Sequence, residues 1–178
     1  MPKALQRIGA GAFYSCHSLK NIELPMTLDE IGMSAFEECY KLRYIRIPPG
    51  VTRIEKFTFK YCSSLQQIDH FHRIEHIGTS AFYHCSSLCL FRMPKRVVYI
   101  GISAFAFCNS LEEIEIPGTV QELCNGLFEA CTLLRKVRLP DHIKSITPNC
   151  FKECQNLVDI NLPVGLEKIG AGAFRNCY

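Results

Sequence analysis

The chain has 178 residues, 48% hydrophobic, 21% charged and 11% aromatic, a composition that can bury a core and excludes disorder as a description of the whole. Twenty basic against 17 acidic residues leave a net charge of +3, too small and too dispersed for an electrostatic grip on nucleic acid or an anionic membrane. No apolar run reaches the length of a membrane span, and Met1-Pro2-Lys3 leads into no stretch resembling a signal peptide, so neither membrane insertion nor targeting is expected.

Read from the N-terminus, the sequence repeats. Phe13, Phe36, Phe59, Phe82, Phe105, Phe128, Phe151 and Phe174 are each 23 residues apart, and a cysteine follows each of them by three: Cys16, Cys39, Cys62, Cys85, Cys108, Cys131, Cys154 and Cys177. Six residues after the Phe stand Leu19, Leu42, Leu65, Leu88, Leu111, Leu134 and Leu157; nine after it stand Ile22, Ile45, Ile68, Phe91, Ile114, Val137 and Ile160. Proline closes this segment at Pro25, Pro48, Pro94, Pro117, Pro140 and Pro163, with Phe71 the one replacement. A second apolar column follows at Ile31, Ile54, Ile77, Ile100, Leu123, Ile146 and Ile169. The 178 residues make about 7.7 such units without insertion or deletion, read as a single domain over 1–178 and expected to be part of a longer array.

One unit holds too few apolar side chains to fold alone, so units must stack and bury one another's faces. The Ile-x-Leu before each proline alternates with period two and predicts a short strand; equal spacing lets successive strands pair in parallel. The following Val-x-x-Ile segment returns along the other face. Gly9, Gly32, Gly78, Gly101 and Gly170 then suggest a turn, although Glu55, Cys124 and Thr147 at the same position show that positive φ is not obligatory there.

Segments such as Leu111-Glu-Glu-Ile-Glu-Ile-Pro117 and Ile100-Gly-Ile-Ser-Ala-Phe-Ala-Phe-Cys108 carry the pattern L-x-x-I-x-L-P and I-G-x-x-A-F-x-x-C, and through them the chain resembles the BspA-like class of leucine-rich repeat. That resemblance implies a curved, right-handed leucine-rich-repeat solenoid. A parallel β-sheet would line its concave face, with short return strands and turns on the convex face. It also implies a non-catalytic surface or interaction protein.

The third unit departs from the pattern at Asp69-His70-Phe71-His72, where His70 falls in an apolar column; a local bulge that turns Phe71 inward would repair the core. His72-Arg73-Ile74-Glu75-His76 spells the H-x-x-E-H of a zinc peptidase, but that chemistry needs both histidines on one helix face, and Ile74 and Ile77 belong to a non-helical segment. No metal site is expected there. Stacked cysteines point the same way and present poor torsions for disulfide closure, so the ladder predicts reduced, structural thiols, which favours a cytoplasmic setting, while the resemblance allows the cell surface. Cys89, off the ladder, is the thiol expected to react. The chain lacks a G-x-S-x-G, a P-loop and a dinucleotide fingerprint; no enzyme activity and no cofactor are expected.

Residues eight and ten after each Phe flank the buried isoleucine and should project from the concave sheet. Tyr44, Gln67, Leu90, Glu113 and Lys136 form one row, and Arg46, Asp69, Arg92, Glu115 and Arg138 the other. The second row alternates in sign, which predicts ion pairs between neighbouring strands. The same ten residues are the candidate contacts for a protein or peptide partner, with Tyr44 and Leu90 as anchors. The alternative is a structural or adhesive array segment that self-associates through uncapped ends.

Overall fold

The computed structural model describes all 178 residues, Met1–Tyr178, as a β-solenoid of about seven coils with no α-helix. Each coil has a front segment, a return segment and a turn around the repeating Phe and Cys that joins them, and most of the front and return segments form short strands. On the front, Tyr44–Arg46 pairs with Gln67–Asp69, and Glu113–Glu115 with Lys136–Arg138 and then Asp159–Ile160. All pairs are parallel and shifted by one period, so that Ile45 lies opposite Ile68 and Ile114 opposite Val137. Single bridges from Asn21 to Tyr44 and from Gln67 to Leu90 extend the first group. On the return side, Arg7–Ile8 pairs with Glu30–Ile31; Arg53–Ile54 with His76–Ile77 and Tyr99–Ile100; and Ser145–Ile146 with Lys168–Ile169.

The core is one continuous apolar cluster running from Ile8 to Ala173. Its axis is the phenylalanine column: the eight rings stack in sequence with centroids 5.1–5.7 Å apart and planes within 21° of parallel. Each such contact adds about 0.5–1.5 kcal/mol to what ring burial contributes. Phe36 through Phe151 are fully buried, because every one has a coil on both sides.

The Ala-Phe-x-x-Cys turns form a third ladder that the sequence did not announce. In every coil but the last, the N–H groups of the Phe and of the residues two before and two after it donate to carbonyls of the next coil. Phe57, Phe59 and Tyr61 bond in this way to Thr79, Ala81 and Tyr83 at 2.8–3.0 Å. Aiming alternate N–H groups in one direction requires left-handed backbone at both flanking positions, and all sixteen have φ of 50–65°: Gly11, Ser34, Phe57, Ser80, Ser103, Gly126, Asn149 and Gly172 before the Phe, and Ser15 through Asn176 after it. For residues other than glycine this costs about 1–2 kcal/mol each, which the three inter-coil bonds per turn offset.

Glycine therefore has a different role from the one the sequence suggested. Gly9, Gly32, Gly78, Gly101 and Gly170 do not have positive φ. A Cβ at Gly32, Gly78, Gly101 or Gly170 would lie 2.4–2.6 Å from a backbone nitrogen of the preceding coil. These four glycines let the coils close to hydrogen-bonding distance, and each donates its N–H to the isoleucine carbonyl of that coil, at 2.7–2.8 Å. Where Glu55, Cys124 or Thr147 stands instead, the return segment is not paired with that of the preceding coil.

All eight ladder thiols are free and the six from Cys39 to Cys154 are buried as expected, whereas Cys16 in the first coil is exposed and Cys177 in the last is half-buried; the ladder thiols also hydrogen-bond. Each Sγ from Cys39 to Cys177 donates to the phenylalanine carbonyl 26 residues earlier, at 3.1–3.2 Å. That carbonyl already accepts the N–H of the cysteine in its own turn, as Phe59 does from Cys62 at 3.0 Å, so both of its lone pairs are used in a place water cannot reach. Burial raises the thiol of Cys39 to about 11 and that of Cys150 to about 12, and pushes Cys62, Cys85 and Cys131 well above the usual thiol range.

The third unit bulges as anticipated. His70 turns outward at φ 58°, Phe71–Arg73 form a single 3-10 turn, and Phe71 enters the core edge-on to Phe82 and Phe91, with centroids 6.0 and 5.5 Å away.

Candidate partner-binding face

The ten candidate residues stand on the front strands, which present them on one side because successive strand side chains alternate and the intervening Ile45, Phe91, Ile114 and Val137 are buried. Eight of them, Gln67, Asp69, Leu90, Arg92, Glu113, Glu115, Lys136 and Arg138, line a single open depression of about 1490 Å³. Tyr44 and Arg46 lie on the strand next to it. Leu90 is 64% exposed at the centre of this face, an apolar side chain ringed by charge. His70, Phe71 and His72 also line it and follow from the third-unit bulge, which the sequence located without assigning it to the face.

The charged row does not pair as the alternation predicted. Arg46 lies opposite Asp69 in register but makes no ion pair with it. Asp69 instead accepts hydrogen bonds from the Tyr44 hydroxyl at 2.8 Å and the Gln67 amide at 2.7 Å, and these two donors hold its carboxyl below the usual range. Arg138 reaches diagonally to Asp159 of the next coil with two hydrogen bonds, 2.7 and 2.5 Å, which raise its own pKa and lower that of the aspartate. Lys136 meets Glu113 within the first row at 3.8 Å. Geometry decides the outcome at Arg138: its planar guanidinium meets both oxygens of Asp159 at once, a two-bond pairing that is stronger than a single charge contact. Arg46, Arg92 and Glu115 are left without an ion-pair partner. Alternating charge does pair beside the turns, where Lys60 meets Glu37 at 3.1 Å and Lys152 meets Glu129 at 2.7 Å.

Other sequence features fall into place around this face. Cys89 is exposed at the rim, next to Leu90. The two histidines of H-x-x-E-H sit on different elements, His72 in the 3-10 turn and His76 in a return strand, so no helix brings them together.

Comparisons with known proteins agree with this architecture. The family model for the BspA type leucine-rich repeat region matches residues 1–97 and 75–178 in six copies. A leucine-rich repeat protein of Bacteroides ovatus is 38% identical over 93% of this chain with a TM-score of 0.90, and the chain spans 43% of that protein's length. A leucine-rich repeat protein of T. pallidum is 32% identical over 98% of this chain and 71% of its own, with a TM-score of 0.66. One from Eubacterium ventriosum shares the fold at 20% identity and a TM-score of 0.60, over 99% of this chain and 63% of its own. No curated protein matches the chain. With the repeat model spanning the sequence and the Bacteroides ovatus structure superposing on nearly all of it, the chain belongs to the BspA-type leucine-rich repeat family.

Proposed function

We propose that the chain is a non-catalytic interaction module that binds a protein or peptide partner through the front, concave face. The observation that carries this reading is that eight of the ten candidate residues of the front strands line one open depression of about 1490 Å³. Leu90 supplies apolar area at its centre, and Arg46, Arg92 and Glu115 supply charges with no internal partner, the combination from which interface anchors are built. Within the chain the outward front-strand positions change from coil to coil while the buried columns stay apolar, which supports the same use of the surface.

The test is site-specific photo-cross-linking in the cells that make the protein, with a photoreactive residue at Leu90 or, on the opposite side, at Ile102. A protein adduct formed from position 90, absent from position 102 and lost in Arg92→Glu, is the expected result. Equal labelling at both positions, or none at 90, refutes the proposal; adducts consisting only of a second copy of the chain refute it in favour of a structural or adhesive array.

A further inference from the structure

We infer that the solenoid contains a hinge between the coil that carries Leu90 to Ile100 and the coil that carries Glu113 to Cys124. Every other pair of adjacent coils is joined by backbone hydrogen bonds on the front face, the return face or both. This junction has none on either. On the front, the ladder that runs through Gln67 stops at Leu90 and resumes at Glu113, and the bond equivalent to Arg135 N–H to Glu112 C=O is not made between Glu112 and Cys89. On the return side, Tyr99–Ile100 ends its ladder because Cys124 replaces the glycine that would admit the next coil.

The causes on the two faces are independent. At the front, Phe91 fills a column that holds Ile or Val in every other coil, and packs at 4.8 Å against Phe105 and 5.5 Å against the inserted Phe71. Its bulk wedges the coils apart beneath the sheet. Arg92 and Glu115, opposite in charge and adjacent in their row, form no ion pair across the gap. On the return side a Cβ is enough.

What survives is the turn ladder. Ser80, Phe82 and His84 bond to Ile102, Ala104 and Ala106 at 2.8–2.9 Å, and Ser103, Phe105 and Phe107 to Asn125, Leu127 and Glu129 at 2.7–3.1 Å. Beside it run the Ser110 to Ser86 backbone bond at 3.1 Å and the Cys108 thiol to the Phe82 carbonyl at 3.2 Å. At the far edge the Thr119 hydroxyl lies against the Lys95 and Val97 carbonyls and can donate to only one of them at a time. A continuous row of bonds along one edge, with both faces open, leaves one easy motion: rotation about the turn ladder. The depression on the front face lies over this opening, so rotation changes its width. The hinge does not depend on whether a partner binds there.

Residual dipolar couplings of the weakly aligned, 15N-labelled chain test this directly. Two alignment tensors, one for residues 7–100 and one for residues 112–170, with different magnitudes, are the expected result. Amide exchange at Glu112 and Cys124 should also be about 100-fold faster than at the equivalent Arg135 and Gly101. A single tensor that fits both segments, or a division at another junction, overturns the inference.

Discussion

Replacing Gly101 by Ala separates two accounts of the glycine column. Its φ is one that any residue adopts, so a purely conformational view predicts a gain of about 0.4–1 kcal/mol from the less flexible unfolded chain. The structure predicts a loss. The added Cβ would lie 2.4 Å from Thr79 N and 2.7 Å from the Gly78 carbonyl carbon, rigid backbone that moves only if the coils part. Parting them breaks the 2.8 Å bond from Gly101 N–H to Ile77 C=O. The broken bond costs about 1 kcal/mol and the overpacking about 1–3. Less the unfolded-state gain, about 2 kcal/mol of destabilisation remains, a fall in Tm of about 4–8 °C for a chain of this size. Urea unfolding and thermal melts followed by circular dichroism measure it. Gly9→Ala is the control, because nothing stands within 4 Å of the Cβ it would add. If Gly101→Ala is neutral, or the two variants behave alike, the close-approach argument is wrong.

Truncating Phe128 to Ala removes a ring stacked at 5.7 Å on both Phe105 and Phe151 and should cost about 3–5 kcal/mol in denaturant unfolding. In native protein a thiol reagent should label Cys16 and Cys89 rapidly, and the fully buried ladder thiols Cys39 to Cys154 only after denaturation, read as burst and slow phases of absorbance. Because burial raises these thiols, the folded state keeps protons that the unfolded state releases above about pH 9; stability is fully retained below that pH and falls as pH rises toward 11–12, as alkaline melts should show. Tyr44→Phe removes the foremost donor to Asp69, and the aspartate should titrate at higher pH by NMR with the fold unchanged.

The period, the core columns and the parallel register were all legible in the sequence, because burial on both sides of every coil tolerates only apolar letters at fixed spacing. The bulge at Phe71 was legible for the same reason: a polar residue in an apolar column requires a local repair. The turn ladder was half hidden. The positions before the Phe read Gly11, Ser34, Phe57, Ser80, Ser103, Gly126, Asn149 and Gly172, a bias toward small residues that signals left-handed backbone; those after it, from Ser15 through Tyr61 and Phe107 to Asn176, carry no such bias, since hydrogen bonds rather than propensity hold them. The glycine column was misread because one letter serves two purposes, positive φ and close approach, and spacing cannot tell them apart. Of the front face, the sequence placed which residues point outward, but not which pair, because pairing depends on side-chain geometry, as Arg138 shows by meeting both oxygens of Asp159. The wedge at Phe91 was visible only as a larger letter among isoleucines.

Scalar couplings across hydrogen bonds report donor and acceptor by name, and they address the stacking register without an intermediate. Each of Phe13, Phe36, Phe59, Phe82, Phe105, Phe128 and Phe151 should couple through its amide to the carbonyl carbon of the residue 22 positions later, as Phe59 does to Ala81. Couplings to carbonyls at any other offset, or free exchange of these amides with solvent, would contradict the account.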